Sequence, residues 1–193
     1  MNKFEKDFFK EQTFEKINFK EQKTIKIEFY KCTFTSGIFV KSIFENCVFE
    51  KCVFTSCDFS VVKFSGSTFI DVKFVDCKMI GIDWTLVQKP MSIDFMKCLL
   101  NDSSFYKMDL RSCKIDECTA HNVDFENANL TKTICRKTDF LNSKFNEADI
   151  SSADFRGALN YLINPNYTKI KKAKFSLPEA VTLLNAWDII IED

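Results

Sequence analysis

An all-β solenoid is the fold this sequence predicts, and three observations predict it. An apolar and usually large residue recurs every five positions, at 16 of the 17 places from Phe4 to Trp84 (Thr24 excepted) and at all 13 from Phe95 to Phe155. Of the 22 Phe in the chain, 20 sit on this beat, the exceptions being Phe8 and Phe175. The residue two before these centres is mostly Cys, Ala, Ser, Thr, Val, Ile or Gly, and the remaining slots are mostly Lys, Glu, Asp, Asn, Ser or Thr, as in Cys47-Val48-Phe49-Glu50-Lys51. A period of five suits neither a helix nor a continuous strand. Two inward residues, two apart, make a short extended stretch with both side chains on one face. The chain must then turn, and such units in series wind a coil that stacks on its neighbours.

The elements follow in order. Residues 1–84 form a first run of coils, in which Thr24 occupies a centre between Ile25 and Ile27 and predicts a local bulge. Residues 85–92 interrupt the beat. Trp84 and Phe95 are 11 apart, no good centre lies between them, and Pro90 lacks a ladder donor. A kink or small loop is expected there. Residues 93–159 form the second run. Residues 160–193 are expected to be a linker, a capping helix and a terminal strand. Asn164-Pro165-Asn166 reads as a turn. Ser176-Leu177-Pro178-Glu179 reads as a capping box with Pro in the first turn. Leu177, Ala180, Val181, Leu184 and Trp187 then recur at helical spacing, and Asp188 to Ile191 read as a strand. The tail carries more apolar area than one cap needs. A homodimer is expected through Leu177, Leu183, Leu184, Trp187, Ile189 and Ile191.

Charge and cysteine usage narrow the function classes. The chain has 27 basic and 27 acidic residues, and residues 1–88, 89–160 and 161–193 are each close to neutral. No direct nucleic-acid or membrane partner is expected from that balance. The first residues lack the apolar core of a secretion signal, and no stretch of 18 apolar residues exists. Of nine Cys, eight lie two before a centre and Cys135 lies on one. They read as small buried fillers that stay reduced, which fits a cytoplasmic protein. Without a Cys-x-x-Cys pair and with His121 as the sole histidine, no metal is expected.

Catalytic groupings are hard to find. His121 falls in an outward slot, and no Gly-x-Ser-x-Gly or phosphate-binding Gly loop occurs among the four Gly. Asp94, Asp109, Asp124, Asp139, Asp149 and Asp154 stand just before centres, where a turn-stabilising role suffices. No catalytic residue, cofactor or metal site is assigned, and the chain reads as a non-enzyme.

Ala128-Asn129-Leu130-Thr131-Lys132 and Ala153-Asp154-Phe155 match Ala-Asp/Asn-Leu/Phe-x-x, and this pattern resembles the pentapeptide-repeat proteins. That resemblance covers about residues 2–159 and implies a right-handed quadrilateral β-helix with four pentads per coil. Thirty centres would then make seven to eight coils, a rod on the order of 36 Å long at roughly 4.8 Å per coil. The interrupted rod, the apolar helix and the end segment further resemble the Qnr, MfpA and McbG group. What that resemblance implies is interaction with DNA gyrase or topoisomerase IV and protection against quinolone-type or peptide poisons, the rod imitating duplex DNA. Stacking residues 20 apart gives no cleanly negative face. The face with Glu45, Asp83, Asp124, Glu126 and Glu147 also holds Lys63, Lys107 and Lys144. A generic scaffold for an unrelated protein therefore stays open. Ile38, Val40, Ile43, Val48, Val53, Ile70, Val75 and Ile80 would serve it if they share a face.

Overall fold

The computed structural model describes Phe4, residues 6–187 and Ile189. Twelve short strands follow the pentads: β1 (Phe8–Lys10), β2 (Thr13–Glu15), β3 (Lys23–Ile25), β4 (Glu28–Tyr30), β5 (Thr33–Thr35), β6 (Ile43–Glu45), β7 (Val48–Glu50), β8 (Val53–Thr55), β9 (Thr68–Ile70), β10 (Val72–Val75), β11 (Ile93–Met96) and β12 (Ile115–Asp116). Every strand pairing is parallel and joins residues 20 apart, as in Phe9↔Phe29, Phe34↔Phe54 and Phe49↔Phe69, except across the interruption, where β10 and β11 pair 21 apart. Four pentads therefore close one turn of a right-handed quadrilateral β-helix. We name its sides A to D by their centres: A holds Phe44, Phe64 and Trp84, B holds Phe9, Phe29 and Phe49, C holds Phe34, Phe54 and Phe74, and D holds Phe39, Phe59 and Met79.

Each side stacks its rings in a column. Phe34–Phe54 centroids lie 4.6 Å apart at 14°, Phe39–Phe59 4.5 Å at 5°, and Phe105–Phe125 5.3 Å at 4°. Rings from adjacent sides meet edge to face, as in Phe54–Phe59 at 84°. Both geometries are favourable for the ring quadrupole. The small residue two before a centre fills the corner between columns.

The residue two after a centre turns the corner with a positive φ, for example Lys31 at 52°, Asn127 at 59° and Gly157 at 73°. This left-handed conformation is strained for residues other than Gly and Asn. Its N–H donates to a carbonyl of the next coil (Lys31 N to Glu50 O 2.8 Å, Asn127 N to Asn146 O 3.0 Å), so stacking holds it.

Three sequence expectations are corrected. Thr24 causes no bulge: it pairs in register with Phe44 and is 1% exposed, so a small side chain fits that layer without displacing the strand. The repeat does not stop near residue 159, because Asp149 bridges Lys169 and Asp154 bridges Lys174. Asn160 in a centre slot hides the continuation. Ile170 and Phe175 are in phase, and Phe175 packs 5.6 Å from Phe155, so it belongs to the beat after all. Side C is thus nine layers deep, from Phe14 to Phe175. Finally, Ser176 does not cap the last helix with its hydroxyl. That hydroxyl accepts from Gly157 N–H (2.8 Å), replacing the carbonyl that another coil would supply. The helix is a 3-10 helix, Glu179–Trp187, which begins beyond the turn this contact fixes.

At the interruption the register passes from 20 to 21 residues, Phe74 pairing with Phe95. A 3-10 turn, Trp84–Leu86, capped by Asp83, carries the chain out. Val87 returns to the interior and Met91 packs partly against it. Pairing on side C runs unbroken through β8, β10, β11 and β12. The extra residue is therefore absorbed on side B alone, by the loop around Pro90.

Candidate interaction surfaces

The interior offers no chemistry. All nine Cys are free and buried, and burial pushes the Cys52 thiol up to about 12 and Cys113 to about 11. Cys57, Cys77, Cys98 and Cys118 form a ladder, with Cys57 N–H donating to Cys77 Sγ and Cys98 N–H to Cys118 Sγ, each at 3.4 Å. Among the described residues no group of three or more His, Cys, Asp or Glu is placed to hold a metal. His121 lies 2.9 Å from Asp139, whose other oxygen accepts from Asn160; it is half-buried rather than free in solvent. Function must be sought on the outside.

The corners decide how charge is distributed there, because the residues one and two after a centre stand at the edge between sides. In the second half of the rod, the edge formed by side A and its two corners carries Asp83, Asp102, Asp124, Glu126 and Glu147, and Asp139 adjoins it on side D. Against these six carboxylates stand Lys107, Lys144, Lys89, whose Nζ lies 3.4 Å from the Lys107 carbonyl, and Lys78, in the same side-D slot as Asp139. Asn122 donates to Asp102 (3.0 Å) and Asn146 to Glu126 (3.3 Å), which steadies the carboxylates outward. Asp102 stands at the corner and Asp139 on side D, and together with side A they make an edge on which carboxylates outnumber lysines. It spans three coil steps, about 14 Å, over which duplex DNA would carry about eight charges. With two net negative charges, the edge reaches roughly a quarter of that density.

The opposite corner, between sides B and C, is basic. Lys132, Lys171 and Lys172 are exposed there, and Lys174 lies on side C beside them. Next along side C, Asp154 is buried and gripped by Arg156 and Arg136, with Nη2 at 2.8 and 2.6 Å. Those guanidiniums, Arg156 foremost, hold its carboxyl far below the usual carboxylate range.

The outward apolar residues do not share one side. Ile38, Val40 and Ile80 belong to side D and its corner, Ile43 to A, Val48 and Ile70 to B, and Val53 and Val75 to C. Side D nevertheless gains two that the sequence reading passed over, Val61 (49% exposed) and Leu99.

Of the expected dimer residues, Leu177, Trp187 and Ile189 are 78%, 51% and 52% exposed, while Leu183 packs against the core and Leu184 is half-buried. Ile191, and the strand expected over Asp188 to Ile191 apart from Ile189, lie outside the described residues. No helix among the described residues is long and apolar enough to cross a membrane.

Two family models match the chain. The one for a pentapeptide repeat region matches residues 27–90, and the one for pentapeptide repeats (8 copies) matches 93–131 and 124–159. No curated protein matches it. Among solved structures, a trypsin-treated variant of QnrB1, a plasmid-mediated fluoroquinolone resistance protein, superposes with a TM-score of 0.74. The identity is 16%, over 96% of this chain and 97% of that one. A second trypsin-treated variant gives 0.69 at 15% identity, covering 93% and 100%. Full-length QnrB1 gives 0.57 at 11%, covering 94% and 100%.

Proposed function

The chain belongs to the pentapeptide-repeat proteins, and from that footing we propose that it is a non-catalytic rod that binds DNA gyrase or topoisomerase IV and protects it from quinolone-type or peptide poisons. The observation that carries this reading is the negative edge formed by Asp83, Asp102, Asp124, Glu126, Asp139 and Glu147. Its carboxylates are fixed to a rigid frame at strand spacing, so a surface built to receive duplex phosphates meets charges already in place. Preorganised charge favours fast, selective encounter more than raw affinity. The QnrB1-like fold supplies a rod of suitable length, and QnrB1 is itself a fluoroquinolone resistance protein.

The tail fits a homodimer of such rods, which would lengthen the edge. Leu177, just before the 3-10 helix, and Trp187 and Ile189, at its far end, are exposed, and each is worth roughly 1.5–3 kcal/mol if fully covered.

The test is supercoiling by purified gyrase with ciprofloxacin, titrated with this protein. Restored supercoiling or direct inhibition at micromolar protein is the expected result, and Asp124→Lys with Glu126→Lys should abolish it. No effect from the unmodified protein would end the topoisomerase reading. Side D favours a second reading, a scaffold for an unrelated protein, because Ile38, Val40, Val61, Ile80 and Leu99 lie together there. A gyrase-independent partner lost on Val61→Lys but kept by the Asp124→Lys, Glu126→Lys variant would establish it.

A further inference from the structure

Overall neutrality conceals a lateral separation of charge. Opposite the acidic edge, the corner between sides B and C is a ladder of cations and hydroxyls. One row runs Ser112, Lys132, Ser152, Lys172, tied by coil-to-coil hydrogen bonds, and the adjoining row runs Arg111, Thr131, Ser151, Lys171. No carboxylate stands in either row. Arg111 is held by Asp109 (Nη2–Oδ2 2.6 Å), but among the described residues Lys132, Lys171, Lys172 and Lys174 form no ion pair. The carboxylates beside the rows are engaged: Asp109 is paired with Arg111, Asp149 accepts from Ser151 N–H, and Asp154 is shared by two arginines, leaving that last cluster one positive charge in excess. Beside the ladder, the loop of the interruption forms an open hollow of about 540 Å³, walled by Pro90 and Met91 on one side and Arg111, Ser112, Thr131 and Lys132 on the other, with Asp109, the partner of Arg111, also in its wall.

We propose that this corner binds the phosphodiester backbone of a nucleic acid without regard to sequence. Three features favour a linear polyphosphate over other anionic partners. The cations lie in file along the rod axis rather than over a broad face, which suits a strand and not a bilayer. Ser and Thr hydroxyls alternate with them, and these are the side chains that share phosphate contacts with Lys and Arg. The file from Ser112 to Lys172 covers three coil steps, about 14 Å, which matches about four phosphates of one strand at 3.4 Å each. The acidic edge faces the other way, so a polyanion meets the rod in one orientation only. The neutral count over residues 89–160 and 161–193, which argues against nucleic acid in the linear sequence, averages these two edges together.

The experiment is fluorescence anisotropy of a labelled 20-base-pair duplex of arbitrary sequence with the full chain, from 50 to 200 mM salt. About four neutralised phosphates predict log K falling with log salt at a slope near −3.6, and a dissociation constant of roughly 1–100 µM. Lys132→Gln, Lys171→Gln and Lys172→Gln combined should weaken binding at least tenfold and reduce the slope by about 2.7. Lys63→Gln, Lys107→Gln and Lys144→Gln combined, an equal change in net charge on side A and its corner, should alter it less than twofold. Absence of binding at 100 µM protein and 50 mM salt would overturn the proposal. So would equal loss in both triple variants, or polyglutamate or anionic vesicles competing as well as DNA at equal charge. No topoisomerase is present, so failure here leaves the gyrase reading untouched.

Discussion

Phe54→Ala tests whether the ring columns bear the stability of the rod. Phe54 is 2% exposed and touches five other rings: Phe34 and Phe74 stacked at 4.6 and 4.9 Å, and Phe39, Phe49 and Phe59 edge-on at 6.5, 5.8 and 5.2 Å. Burial of the ring and the void it leaves are together worth about 3–5 kcal/mol for Phe→Ala. Stacked neighbours above and below cannot move inward, because each is fixed by its own strand register. The loss should fall in the upper part of that range, about 4–5 kcal/mol. Phe14 is the internal comparison. It stacks on Phe34 at 4.7 Å but lies half-buried in the first layers, facing an open hollow of about 390 Å³, so Phe14→Ala should cost only about 1–2 kcal/mol. Urea unfolding followed by circular dichroism, compared at the midpoint with a common slope, measures both. A Phe54→Ala loss below about 1.5 kcal/mol, or one equal to that of Phe14→Ala, would refute columnar packing as the main source of stability.

Other consequences are as open to measurement. With Cys52 and Cys113 titrating far above neutrality and all nine thiols buried, Ellman reagent at pH 8 should label almost none until denaturant is added; rapid labelling of several would contradict the interior placement. Asp154→Asn should destabilise by about 2 kcal/mol at pH 7. The folded-state carboxyl is depressed by Arg156 and Arg136, so that advantage exists above the unfolded value near 3.9 and shrinks as pH falls below about 4. A pH-independent difference would exclude the ion cluster as its source. Trp187→Glu should convert a dimer to a monomer by light scattering, and an unchanged mass would remove the tail from the interface.

The fold was legible because one rule, an apolar centre every fifth residue, governs nearly every layer, and the ring columns write it in one letter. What escaped the sequence shows where such a rule fails. Ile170 and Phe175 went uncounted because Asn160 interrupts the beat without changing the 20-residue coil length; Ala173-Lys174-Phe175 is the signal that could have found them. Thr24 looked like a defect, but in a stack the register is set by the layers on either side, not by one centre. The charged edges were hidden for a different reason. Residues one and two after a centre stand at corners, so Asp102 joins Asp124 across sides that the linear count separates, and Asp139 adjoins them from side D. A composition summed along the chain is blind to which edge each residue occupies.

The most direct test of the account is the binding of purified gyrase to the immobilised full chain, measured by biolayer interferometry for three forms of the protein. The unmodified chain should bind at micromolar concentration or tighter. The Asp124→Lys, Glu126→Lys variant should lose at least tenfold, and replacing Lys132, Lys171 and Lys172 each by Gln should change binding less than twofold. Equal losses in both variants, or no binding by the unmodified chain, would contradict the account.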